Sequence, residues 1–201
     1  MPLILASKSS ARRLMLDNIG LHYTAMAANI DEQAIIESLK NQKESARNIA
    51  DKLAEAKALK ISRKQDYCSA GTLVLGSDQI LQLEDGSYLS KPRDKEEAAR
   101  HISILSGKTH RLISAAVMAE EGRPIWRNID IAKMTMRPLS PNFIEKYVDD
   151  NWHEIQYCVG CYQIEGPGAL LFAKIEGSQF TIMGMPLLAV IDYLFERKFI
   201  A

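Results

Sequence analysis

The segment Thr72-Leu73-Val74-Leu75-Gly76-Ser77-Asp78-Gln79-Ile80-Leu81-Gln82-Leu83 restricts the fold more than any other part of the chain. Successive side chains of a strand point to opposite faces, so the run Leu73-Val74-Leu75 needs apolar cover on both sides. This predicts a central strand over 72–83 in a layered protein. Asp78 stands inside the same run. A carboxylate buried without a partner is costly. Asp78 therefore either caps a bulge or turn, or stands at the strand's end in a cleft where its charge is used.

The flanking sequence supplies the other layers. Residues 2–6 read as a buried strand, 9–18 as a helix stopping near Gly20, and 22–28 as a second strand. Residues 44–62 read as a long helix, with Ile49, Leu53 and Lys57 on one face at i, i+4 spacing. A lysine on such a stripe either snorkels at its edge or points into a site, and spacing alone favours snorkelling. Asp85-Gly86 marks a hairpin turn. Lys91-Pro92-Arg93 then places two cations around a fixed proline. A helix is expected over 94–105, capped by Asp94 and closed near Gly107. Strands follow over 109–119 and 125–136, then a short helix over 141–149 with Pro141 in its first turn. Strand-like pieces at 161–165 and 169–175 flank Gly166-Pro167-Gly168, and a last helix covers 186–196. The mixture predicts an α/β or α+β chain, a twisted sheet flanked by helices. A length of 201 residues suits one domain, or one domain of two lobes.

Charge narrows the partners. Twenty-five basic and 25 acidic residues cancel, which argues against bulk attraction to nucleic acid or membrane. Any positive site must be local. No apolar run is long enough to cross a bilayer, and the apolar start is too short for a secretory signal, so a cytoplasmic location is expected. Three cysteines exclude a complete disulfide framework. Cys158-Val159-Gly160-Cys161 has C-x-x-C spacing. It lacks the following helix of a redox motif and the second pair of a zinc site, and reads as small buried residues in a strand. Neither G-x-x-x-x-G-K-[ST] nor G-x-G-x-x-G occurs, which argues against a P-loop or Rossmann site.

Several polar residues sit oddly against apolar surroundings: Ser7, Ser9, Arg12, Arg13, Glu32, Lys57, Asp78, Lys91 and Glu165. Arg12 and Arg13 fall in the first turn of a helix, the end whose dipole favours anions. Cations there need a reason, and a bound phosphate would be one. A triphosphate–metal complex calls for this mixture: cations against phosphate charge, carboxylates for a divalent ion or a proton, hydroxyls and amides at a helix start. Spacing alone does not gather them into one site.

The chain resembles the Maf family of nucleoside triphosphate pyrophosphatases. The blocks that carry the resemblance run nearly end to end: LILASKSSARRLMLDNIGL, NIDE, LAEAKA, LGSDQI, LSKPRD, LSGKTH, GCYQIEGPGA and IEGSQFTIMGMPL. It implies an elongated, two-lobed α/β fold of the ITPase-like type, with a mixed twisted sheet flanked by helices, an active-site cleft between the lobes, and often a homodimer. It also implies cleavage between the α and β phosphates. Arg12, Arg13, Lys57 and Lys91 would contact the triphosphate, and Ser7 and Ser9 would shape the loop. Asp78 would accept the proton of the attacking water. Glu32, with Asp78 as a second ligand, would hold a divalent cation such as Mg2+, Mn2+ or Co2+.

The resemblance is finer than the family. Gln79 stands where most members have Thr, and Glu165 where most have Gln, a combination similar to the branch that prefers 7-methyl-GTP over dTTP and UTP. Cys158, where the dTTP/UTP branch usually has Lys, agrees. A 7-methylguanine ring is cationic and offers a donor pair, which a carboxylate such as Glu165 can accept. Glu165 could also be a metal ligand or a solvated loop charge. Two positions depart from the pattern: Ser10 replaces a usual Pro, and Ala11 replaces a frequent Trp, removing an aromatic face from a position expected to influence substrate choice. The rival readings are a dTTP/UTP pyrophosphatase, a phosphatase removing only the terminal phosphate, and a non-catalytic nucleotide-binding regulator of cell division.

Overall fold

In the computed structural model, which describes residues 2–200, the chain begins β1 (Leu3–Leu5), α1 (Ser10–Asn18), β2 (Thr24–Ala25), α2 (Glu32–Asn41), α3 (Ala46–Ser62) and β3 (Leu73–Leu83). It continues β4 (Tyr88–Leu89), α4 (Lys95–Leu105), β5 (Thr109–Glu120), β6 (Arg123–Met136) and α5 (Pro141–Ile155). A 3₁₀ turn (Pro167–Leu171), β7 (Phe172–Glu176), α6 (Gln179–Ile182) and α7 (Leu187–Glu196) complete it. The seven strands form a mixed sheet in the order β2-β1-β3-β5-β6-β7, with β4 paired to β3. β1 runs parallel to both β2 and β3, with Leu3 opposite Leu73 and Leu5 opposite Leu75. Parallel neighbours need crossovers, which α1 supplies for one pair and α2 with α3 for the other. No helix of the described residues is long and apolar enough to cross a membrane.

The chain divides into two compact units. The first contains the chain up to Gln79, Ile113–Asp130 and the chain from Gly184 onward; the second contains Ile80–Leu112 and Ile131–Met183. In the first unit, Leu73, Val74 and Leu75 are fully buried, as a strand covered on both faces requires. α3 contributes Ile49, Leu53 and Ile61 to the same interior. In the second unit, α4 and α5 pack together, and Ile102, Leu105, Ile144 and Val148 join Met134, Met136 and Phe172 in one core.

Local chemistry explains most boundaries. Ser9, Asp31, Ser45, Asp94 and Ser140 each cap a helix, the side chain accepting from the backbone N–H three residues on. Gly86 takes a positive φ in the β3–β4 turn, where Asp85 accepts from the Ser87 amide. β5 and β6 are joined by Glu121 and Gly122, both at positive φ, the pair that a tight hairpin of type I′ needs.

Four expectations need correction. The strand over 22–28 shrinks to Thr24–Ala25. The helix over 141–149 runs on to Ile155, because Tyr147, Val148 and Ile155 continue its buried stripe past Asp149 and Asp150. Residues 161–165 are not a strand. Gly160 and Cys161 have positive φ, and turns close from Cys161 N–H to the Cys158 carbonyl and from Gly166 N–H to the Gln163 carbonyl. Residues 169–175 begin as the 3₁₀ turn and become strand only at Phe172. Two helices went unread: α2, none of whose residues is buried, so that its sequence has no deep apolar stripe, and α6, which is only four residues long.

The core of the second unit holds a buried polar pair. His110 Nε2 lies 2.7 Å from the Tyr162 hydroxyl, and Nδ1 has no hydrogen-bond partner among the described residues. Burial lowers the imidazole from its ordinary 6.5 to about 4 and pushes the Tyr162 phenol well up. Between these two His110 values the unfolded chain binds a proton that the folded chain does not. Stability is therefore full above about pH 6.5 and falls as pH drops toward 4. Chemical denaturation should show a wild-type loss of up to about 1.4 kcal/mol per pH unit in that window beyond the loss seen in His110→Gln. Equal slopes in the two proteins would remove His110 from the account.

Candidate functional site

The loop after β1 is built by its own hydroxyls. Ser7 Oγ accepts from the Ser9 amide at 3.1 Å, and Ser9 Oγ caps α1 by accepting from the Arg12 amide at 3.4 Å. The two arginines that follow then part. Arg12 turns inward, is buried, and donates from Nε to the Gly184 carbonyl at 2.8 Å and from Nη1 to Ser7 Oγ at 3.4 Å. Burial lowers its pKa, and the charges of Asp78 and Glu32 oppose that shift. Arg13 is exposed and donates from Nη2 to the Lys8 carbonyl at 3.0 Å, bracing the loop from outside. Ala11, between loop and helix, is half-buried.

Lys57 does not snorkel. It is 7% exposed, and its ammonium lies 3.0 Å from Asp78 Oδ1 and 2.8 Å from Glu32 Oε1. Asp78 neither caps a turn nor stands at the strand's end: it is buried mid-strand in β3, with Lys57 as its counter-ion. Gly76, two residues earlier on the same face, is what allows this. A Cβ there would lie 2.7 Å from the Ala58 amide nitrogen and closer still to the Ala54 carbonyl. β3 and α3 therefore touch backbone to backbone beside Gly76, which sets Lys57 against Asp78. Glu32 reaches them from the first turn of α2, a favourable place for a carboxylate. Gln79 projects from the opposite face of β3, where its Nε2 donates to Ser114 Oγ at 3.0 Å.

The structure thus gathers Ser7, Arg12, Glu32, Lys57 and Asp78 within the first unit, with Ser9 and Arg13 shaping the adjoining loop. Lys91 and Glu165 belong to the second unit and are exposed. Burial raises the Cys158 thiol there, the Gln163 hydrogen bond opposes that shift, and Glu165 and Lys91 act on it more weakly, the one raising and the other lowering it. Burial pushes Cys161 up to about 12. Thiols raised in this way are poor nucleophiles, and both cysteines are free. The pair lies in a turn rather than a strand, with Cys161 buried and Cys158 partly so. Among the described residues no group of three or more His, Cys, Asp or Glu could hold a metal. Glu32 and Asp78, however, converge on one cation. Two carboxylate oxygens, completed by water and phosphate, match what a hard ion such as Mg2+ takes.

The Maf-like protein family profile matches residues 2–197. The chain belongs to this family. It is 50% identical to the nucleoside triphosphate pyrophosphatase of Sphingopyxis alaskensis, over 96% of each chain. It is 46% identical to nucleoside triphosphate pyrophosphatase 1 of a Jannaschia species, over 99% of this chain and 98% of that protein. It is 43% identical to the 7-methyl-GTP pyrophosphatase of Brucella abortus, over 98% and 96%. For this Maf-like chain, Gly76 was the structurally decisive residue that no motif chemistry pointed to. Its one signal was a glycine inside an otherwise apolar strand, which marks close backbone approach. Gly76→Ala should destabilise the fold by about 1–3 kcal/mol or more through overpacking, measured by thermal or chemical denaturation. Unchanged stability would mean that α3 and β3 can separate freely there.

Proposed function

We propose that the chain hydrolyses nucleoside triphosphates between the α and β phosphates, releasing a nucleoside monophosphate and pyrophosphate, with 7-methyl-GTP as preferred substrate. The observation that carries this reading is the buried Lys57 ammonium between Glu32 and Asp78, beside the buried Arg12 guanidinium at the start of α1. In this reading Arg12, Arg13, Lys57 and Lys91 bind the phosphates, and Ser7 and Ser9 shape the loop beside them. Asp78 accepts the proton as water adds across the α–β bridge. One bridging P–O bond breaks, and the bridging oxygen leaves with the departing group. Glu32 and Asp78 would hold a divalent cation, which supplies charge neutralisation at the phosphate oxygens. Lys57 keeps the two carboxylates apart from each other's charge and stands within reach of the phosphates that they face.

The substrate preference is supported by Glu165 and Gln79 in place of Gln and Thr, and by the similarity to the Brucella abortus protein. Glu165 is exposed, so its carboxylate is free to meet a base edge. Ala11, in place of an aromatic residue, leaves the cationic ring without a stacking partner at that position, so the charge of Glu165 has more to do. A non-catalytic binder would have no use for a buried carboxylate beside the phosphates, where it repels them.

Two experiments test the reading. Asp78→Asn keeps the size of the side chain and an oxygen for Lys57, but loses the proton acceptor. It should cut kcat by about 10²-fold or more while nucleotide still binds. Near wild-type turnover would reject Asp78 as the base. Separately, kcat/KM on 7-methyl-GTP, GTP, dTTP and UTP, with pyrophosphate and orthophosphate both assayed, decides reaction and substrate. Glu165→Gln should lose roughly 10-fold or more on 7-methyl-GTP, about 1.4 kcal/mol, and hold or gain on dTTP and UTP. Orthophosphate as the released product would overturn the reaction, and an unchanged ranking would remove Glu165 from base reading.

A further inference from the structure

The geometry points to Ser77 as a positioning residue for Arg12, acting through the main-chain carbonyl of Gly184; this rests on the proposal that Arg12 binds substrate phosphate. Ser77 is fully buried on β3, and its hydroxyl lies 2.9 Å from the Gly184 carbonyl oxygen and 2.8 Å from that of Ala115. One hydroxyl carries one hydrogen, so it serves one of these carbonyls at a time. The Gly184 oxygen also accepts from Arg12 Nε at 2.8 Å. A carbonyl has two lone pairs, so it can accept from Arg12 and Ser77 together, two side chains from distant parts of the first unit.

Gly184 is shaped for this task. Its φ of +107° lies in the region that side chains avoid, and a Cβ would stand 3.2 Å from Arg12 Nη2 and 3.4 Å from Nε. The guanidinium therefore lies directly against the glycine, and a substituent there would push it aside by a few tenths of an ångström. With Nε on Gly184 and Nη1 on Ser7, the plane of the guanidinium is set from two sides, and Nη2 is aimed by what the other nitrogens hold. A planar fork gains its strength with a phosphate from that alignment, and a small misplacement of a catalytic cation is costly. Ser77 touches neither substrate nor reacting atoms in this account. It holds the carbonyl that holds the arginine.

The test is a double-mutant cycle on the full chain, read as kcat and KM for the best nucleoside triphosphate, with melting temperature measured alongside. Arg12→Lys keeps the charge but has no Nε–H for Gly184, and should lower kcat/KM by about 10-fold or more. Ser77→Ala should lower it by about 10-fold in the wild-type background and less than about 2-fold in the Arg12→Lys background. Ser77→Thr, which keeps a hydroxyl, should restore most of the loss. If Ser77→Ala is too unstable to purify, Ser77→Cys, with its weak S–H donor, takes its place in the cycle. Equal losses in both backgrounds would overturn the proposal and leave Ser77 a purely structural residue. An unimpaired Arg12→Lys in an active enzyme would overturn it by removing Arg12 from phosphate binding. A wild type with no triphosphate turnover would instead defeat the activity reading beneath it.

Discussion

Everything in the first unit's polar cluster depends on one ion pair, Lys57 with Asp78, made where backbone meets backbone. Neither group could be buried alone, since an unpaired ammonium or carboxylate in the interior costs several kcal/mol. Together they are tolerable, and Glu32 supplies a second carboxylate from the more exposed side. Such a pair is weak support for stability, because desolvation offsets most of the attraction. Its value is positional. Gly76 lets α3 approach β3 closely, which sets the lysine against the aspartate. A stripe residue that would otherwise reach for water becomes an internal cation.

The cluster is also balanced. Arg12 and Lys57 carry two positive charges, and Glu32 with Asp78 carries two negative ones. This local cancellation repeats that of the whole chain, whose basic and acidic residues are equal in number. A balanced cluster can be buried without a counter-ion from solvent. It can also meet a polyanion accompanied by a divalent cation without a large change in net charge. In the proposed reaction, the cations face phosphate oxygens and the carboxylates face the metal and the water. The same four groups that satisfy one another are the ones a triphosphate–metal complex would draw apart.

Much of this was legible in the sequence, and the illegible parts share a cause. Central strand, capped helices and hairpins were readable because Leu73–Leu75, Ser9, Asp94, Asp85-Gly86 and Pro141 act through their nearest neighbours. Lys57 was misread on spacing alone, because its fate depends on Gly76, which lies on another element. Asp78 was placed at an edge or a turn because one segment cannot reveal a partner 21 residues away. The loop around Cys158–Glu165 looked extended from its alternation. Its turns come from positive-φ residues and glycines folded against Gln163 and Tyr162, contacts that no local pattern encodes. Family resemblance singled out Arg12, Glu32, Lys57 and Asp78, which the structure brings together in the first unit. It did not separate the inward Arg12 from the outward Arg13, a distinction made by the Gly184 carbonyl.

The division of labour follows from where the residues sit in the chain. The groups proposed to meet phosphate and water are fixed mainly by β1, α1, α3 and β3, through buried contacts that leave little freedom. Glu165 lies on a turn whose backbone is held by Gly160, Gly168 and the Tyr162–His110 pair, while its own side chain is exposed. A substitution at Glu165 therefore changes the presented chemistry without disturbing a buried partner. A substitution at Lys57 or Asp78 strands a charge in the interior. In the proposed reading, reaction type is tied to the core, whereas base preference rests on an exposed side chain that can change at little cost to the fold.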